Sequence, residues 1–222
     1  MVTTPFEFPA EIDLVNFVSH YAHDLRSPFN RTMGFLKIVL KEQDGPLTDM
    51  QKEDLNTVYQ NSVTAFINIS NLIDIARLIA GEKNLNLTTN AVEPLLNQAI
   101  SQWEKYHADA NPQVQFNTHI PEDLVSLQVD GVLLAQAITG LIACVVETRK
   151  SPVEVSLTVA ESAEGVAFTI HGMGQPAFNP SKLDLDAFGF ISQAFIALHG
   201  GKFIKQEDGD DGAVIEFILP GK

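Results

Sequence analysis

Residues 15–39, VNFVSHYAHDLRSPFNRTMGFLKIV, place an apolar or small side chain at every third or fourth position: Val15, Val18, Ala22, Leu25, Phe29, Thr32, Leu36 and Val39. Such alternating steps keep one face of an α-helix apolar, and their seven-residue repeat marks a seam for packing against another helix. After a break at Gln43-Asp44-Gly45-Pro46-Leu47 the spacing resumes on Leu55, Val58, Ser62, Ala65, Ile69, Leu72, Ala76 and Ile79, and Gly81 stops it. Thr48-Asp49-Met50-Gln51 has the form of a capping box, in which the threonine hydroxyl accepts from an early amide and the glutamine reaches back. Two helices of about 30 residues, each about 45 Å long, joined this tightly make an antiparallel hairpin. Ile12, Phe35, Tyr59, Phe66 and Ile73 widen the apolar stripe beyond one seam. A second copy completing a homodimeric four-helix bundle would cover it; packing on the chain's own remainder is the alternative.

From about Thr88 the pattern changes. Val92 to Ala108 reads as an amphipathic helix, Val114 to His119 as a short strand and Val132 to Glu147 as a strongly apolar helix. Val153 to Val159 and Val166 to Ile170 alternate as a hairpin around residues 161–165, and Ile191 to Leu198 is helical. Gly201 to Gln206 and Ala213 to Leu219 flank the acidic turn at residues 207–212. The fold class is therefore α+β: a helical hairpin over residues 1–84, then a sheet with helices on one face over residues 85–222.

Composition narrows the function. The 222 residues are 45% hydrophobic, enough to bury a core without metals or disulfides. The single cysteine, Cys144, has no second cysteine to pair with, and no Cys/His cluster has zinc spacing, which fits a reducing compartment. No apolar run approaches the roughly 18 residues of a membrane span, and Met1 to Ala10 lacks the charge and apolar order of an export signal. A cytoplasmic chain with no membrane partner is expected. The net charge of −14, from 28 acids and 14 bases, opposes binding to nucleic acid, whose phosphates call for clustered Lys and Arg.

The chemistry concentrates on Ser19-His20-Tyr21-Ala22-His23-Asp24-Leu25-Arg26-Ser27-Pro28-Phe29-Asn30. A proline inside a helix removes one backbone bond and crowds the carbonyl four residues back, here that of Asp24, at about 3 kcal/mol. With Ala22 and Leu25 on the seam, His23 lies beside it, able to face solvent, with Ser27 one turn along. His23-Asp24-Leu25-Arg26-Ser27-Pro28 resembles the H-box of the histidine kinases: His, an acid, Leu, a base, a small polar residue, Pro. The resemblance implies that His23 accepts a phosphoryl group, that Asp24 is the general base for the ring and that Ser27 positions water. Imidazole chemistry agrees, since attack needs a nitrogen lone pair and an adjacent carboxylate can fix the tautomer. Residues 45–51 and 72–78 are similar to the family's inter-helix turn and second-helix end. Leu198-His199-Gly200-Gly201-Lys202 and residues 213–220 are similar to the last helix and strands of its ATP-binding domain. His20, one turn before His23, has no role in the pattern.

The nucleotide motifs depart from the family. Cys144 stands at the magnesium-binding Asn position and Glu147 at a usual Lys position; a thiol is a poor ligand for magnesium, and an acid repels phosphate. Ile170-His171-Gly172-Met173-Gly174 keeps two glycines but puts Ile170 where the family's Asp reads adenine, and both glycines are expected in a strand-ending turn. About a dozen residues separate Gly174 from Ala187-Phe188-Gly189-Phe190, too few for the usual ATP lid, and this second motif keeps one glycine of a phosphate-cradling turn. His171 and His199 are expected to be structural.

Three functions compete. The first is a histidine phosphotransferase, passing phosphate on His23 between the aspartates of receiver domains, with no cofactor of its own and any magnesium brought by the receiver. Receiver docking would fall on Arg26, Asn30, Arg31 and Thr32, and the C-terminal domain would serve as a partner contact. The second is a scaffold that docks receivers or kinases without carrying phosphate, and the third an ATP-dependent histidine kinase core with an unusual nucleotide site.

Overall fold

The structure, a computed structural model, describes residues 13–43, 45–107, 113–121, 123–124, 126–177, 182–210 and 212–221. Ile12, Asp44, Ala108 and Asp211, named above, lie outside them. The chain divides into two compact units, Met1–Lys83 and Asn84–Lys222.

The first unit is the hairpin of α1 (Leu14–Leu40) and α2 (Asp49–Ile79). Asp13 caps α1 by accepting from the amide of Asn16. Thr48 and Gln51 form both bonds of the capping box, at 3.3 and 2.9 Å. Between the helices Glu42 takes a positive φ of 55°; its carboxylate accepts from the amide of Leu47 and pairs with Lys52. Arg26 over the ring of Phe66 and Lys37 over that of Tyr59 mark the antiparallel alignment. Contrary to the expectation from the sequence, α2 holds a window apolar enough, by length and composition, to cross a membrane. Only 33% of that window is buried, and Ser62, Asn71 and Asp74 are among its helix's buried residues, as in a bundle helix with one face still uncovered.

The second unit holds β1 (Thr88–Asn90), α3 (Val92–His107), β2 (Val114–His119), β3 (Leu127–Val129), α4 (Gly131–Glu147), β4 (Val153–Ser162), β5 (Gly165–Met173), α5 (Lys182–Leu198), β6 (Lys202–Gly209) and β7 (Gly212–Pro220). A five-stranded sheet runs in the order β2-β4-β5-β7-β6, with β2 parallel to β4 and the other pairs antiparallel. Alternation along the strands sends Val155, Leu157, Phe168, Ile170, Ile215 and Phe217 to the buried face, where α4 packs between α3 and α5. Phe168 stacks on Phe217 at 4.9 Å at the centre of that layer. The two-residue turn Ala163-Glu164 makes the β4–β5 hairpin longer than alternation alone predicts. The small ribbon of β1 and β3 was not foreseen, because three residues are too short to show a period.

Candidate functional site

α1 separates its two kinds of residue cleanly around Ala22, which is 2% exposed in the seam. The side chains of His23 and Asp24 stand 80% and 83% exposed, and Ser27 is exposed one turn further on. His23 Nδ1 lies 3.5 Å from Asp24 Oδ1. An ion pair this long and wet contributes little stability. Its value is chemical: a carboxylate beside Nδ1 favours the proton there and leaves the lone pair on Nε2, facing water. Pro28 has no amide to offer the carbonyl of Asp24, and the Thr32 hydroxyl donates to the Pro28 carbonyl at 3.0 Å.

The four residues expected to dock a receiver divide. Asn30, Arg31 and Thr32 are exposed. Arg26 is half-buried, its Nε is sealed from water without a hydrogen-bond partner and its guanidinium lies 5.9 Å from the centre of the Phe66 ring. It is turned to α2 and serves the hairpin, as its 40° offset from the seam permits at 100° per residue.

In the second unit the residues at the family's nucleotide positions are packed together. Ile170 is 1% exposed inside the sheet's buried face. Gly172 lies within β5, paired with Val155 and Ala213, and a Cβ there would come within 2.9 Å of Val145 on α4. It is a close-packing residue; the expected turn holds only for Gly174, whose φ of 155° is one that L side chains rarely adopt. Beyond the strand, the amide of Ala177 donates to Thr148 O at 2.8 Å and that of Lys150 to Gln175 O at 2.7 Å, tying residues 175–177 to the end of α4. Arg149, with a fully buried side chain, pairs with Asp208 of β6 across the same end. Residues 187–190, read as the remnant of a phosphate turn, are inside α5, where their amides belong to the helix. Gly140 lets α5 come close, since a Cβ on it would lie 2.5 Å from the Ser192 hydroxyl, which donates to Ala137 O. Residues 84–222 carry 17 acids and seven bases, an unfavourable field for a triphosphate. Cys144 and Glu147 are half-buried on α4.

His199 is structural, as expected, in a way the sequence did not disclose. Its Nδ1 donates to Phe195 O at 2.7 Å, and its Nε2 accepts the amide of Asp130 at 3.0 Å. The ring joins the end of α5 to the start of α4, where Asp130 caps the helix through the amides of Val132 and Leu133.

Residues 13–81 match the His Kinase A (phospho-acceptor) domain. The chain has the fold of solved histidine kinases, a helical hairpin followed by an α/β sheet domain. Over both units it follows the structure of full-length ShkA in complex with AMPPNP, with a TM-score of 0.66 and 20% identity over 92% of this chain and 45% of that one. It also follows the histidine kinase AdeS of Acinetobacter baumannii, with a TM-score of 0.59 and 12% identity over 89% and 97%. Among curated relatives, the sensor protein KdpD of Clostridium acetobutylicum is 24% identical over 92% of this chain and 24% of its own length. The signal transduction histidine-protein kinase BarA of Escherichia coli K12 is 23% identical over 83% of this chain and 20% of its own length. This core thus spans a quarter or less of these relatives.

Proposed function

We propose that this histidine kinase core works in two-component signalling as a phosphotransferase: His23 takes a phosphoryl group from one receiver aspartate and gives it to another, without ATP. The lone pair on Nε2 attacks phosphorus, the P–O bond to the aspartyl carboxylate breaks, and the P–N bond forms; transfer onward reverses these events. Asp24 holds the Nδ1 proton while positive charge develops on the ring, and Ser27 is placed to orient water when the group is hydrolysed. Magnesium comes with the receiver. The observation that carries this reading is the contrast between an open His23–Asp24 pair and a nucleotide region occupied by Ile170, Gly172 and the tie between residues 148–150 and 175–177. The structure of the histidine kinase ThkA in complex with the response regulator TrrA, which this chain resembles with a TM-score of 0.52 and 17% identity, supports a receiver as partner. Asn30, Arg31 and Thr32, exposed about two turns beyond His23, would belong to its dock.

The working unit is a homodimer in the cytoplasm. Tyr21, Pro28 and Phe35 on α1 and Val58, Leu72 and Ile79 on α2 repeat every seven or fourteen residues and are exposed, up to 68% for Phe35 and 69% for Ile79. A second hairpin would cover both stripes, and His23, about 160° round α1 from Tyr21, would stay open.

The second reading, an ATP-dependent kinase, is favoured by the likeness to the histidine-protein kinase BarA and to ShkA, whose structure holds AMPPNP. Calorimetric titration with Mg-ATP, with a non-hydrolysable analogue in parallel, separates the two. No heat up to millimolar nucleotide is expected, and micromolar binding would return the chain to the kinases. Phosphorylated receivers offered to wild type and His23→Ala then test transfer against scaffolding.

A further inference from the structure

His20 stands one turn before His23 and is exposed like it. Its Nδ1 donates to the carbonyl of Asn16 at 2.9 Å, so the ring carries its proton on Nδ1 and a lone pair on Nε2. Residues three apart on a helix are neighbours, with Cβ atoms about 5–6 Å from one another. Asn16, His20, His23 and Ser27 therefore line one flank of α1, away from the Tyr21–Phe35 stripe. The phosphoacceptor chemistry leaves His20 unused.

We propose that His20 takes up a proton when His23 is phosphorylated and pairs with the phosphoryl oxygens, making it a positioning residue that sets the lifetime of the phosphohistidine. The inference rests on the reading of His23 as the acceptor. A phosphoryl group brings nearly two negative charges within a helical turn of this second imidazole, and the proton comes from solvent. Among neighbouring charged groups, Asp24 is engaged at Nδ1 of His23 on the same helix. On α2 the antiparallel alignment brings residues 71–77 to this level; there Asp74 is buried and held by Lys83 at 2.8 Å, and Arg77 is exposed. Arg77 is the competing cation.

The test uses the full chain phosphorylated chemically with phosphoramidate, whose P–N bond to ammonia breaks as the bond to the imidazole forms, ammonia leaving with the ring proton. Ring resonances of His20 are titrated by NMR with and without phosphate on His23, and phosphohistidine decay is followed in wild type and His20→Gln from pH 5.5 to 8.5. The His20 midpoint should rise by about half to one pH unit on phosphorylation. Linkage gives the pairing a factor of about three to ten in the stability of the phosphorylated state. Because the pairing loosens as the phosphoryl group leaves, His20→Gln should lose phosphate up to that much faster than wild type below the midpoint and at the same rate above it. An unmoved midpoint, identical decay profiles, or labelling of His20 in preference to His23 would overturn the proposal. Should phosphoramidate label His23 while no receiver does, the phosphorelay reading falls alone, and the same titration still decides the role of His20.

Discussion

His23 and Asp24 project from α1 with four-fifths of their surface in water, whereas Ile170, at the position that would read adenine, is sealed at 1% exposure. The first region makes almost no contribution to packing: its side chains touch each other and solvent. The second is assembled from packing, with Gly172 against Val145, Gly140 against Ser192 and a backbone tie closing the end of α4. Ile170, Gly172 and Gly140, by contrast, are held in the packed core. Each region should therefore fail differently when changed.

The largest effect belongs to His23→Ala. Phosphate uptake from a phosphorylated receiver should fall below detection, while the thermal midpoint stays within about 2 °C of wild type, because an exposed side chain with one long contact holds little together. A large loss of stability would break the comparison. From the other side, Ile170→Asp puts a carboxyl group into the sheet's buried face and should cost about 4 kcal/mol or more in urea unfolding, without creating ATP binding. A folded Ile170→Asp chain that binds Mg-ATP would show that the site is only missing a side chain. His199→Ala should follow at about 2–4 kcal/mol, since it removes the acceptor for one buried amide and the donor for one carbonyl; His23→Ala as control separates this loss from any effect on transfer.

How much of this was legible in the sequence follows the same division. The hairpin was readable because the seam from Val15 to Val39 and the Thr48–Gln51 box are local patterns, and the exposure of His23 followed from Ala22 and Leu25 on the seam. The departures at Cys144 and Ile170 were visible as residue identities. The closure around them was not, because the pairing of residues 148–150 with 175–177, the burial of Arg149 beneath Asp208 and the link from His199 to Asp130 join positions 25 to 69 residues apart with no periodic signal. Gly172 misled for the same reason: a glycine demanded by a neighbouring helix looks, in sequence, like a glycine demanded by a turn. Arg26 was assigned to the docking surface by proximity to His23, although its angle on the helix allows it to reach Phe66.

The smallest effect sharpens the comparison at the opposite end of α4. Burial pushes the Asp130 carboxyl up, but bonds from the amides of Asn86, Leu133 and Val132 outweigh it and hold the group below the usual carboxylate range. A carboxylate whose folded pKa lies below its unfolded value contributes stability that is complete above the unfolded value, about 3.9, and is lost as pH falls through the folded one. Asp130→Asn keeps the shape and an amide oxygen for the cap but removes the charge, so it should cost about 1 kcal/mol at pH 7. As pH falls through the folded value the gap between variant and wild type should close, because the wild-type carboxyl is then itself protonated. A gap independent of pH would mean that the side chain acts here through packing alone, and would place this end of α4 with the Ile170 region as core, with no electrostatic share in holding the helix start.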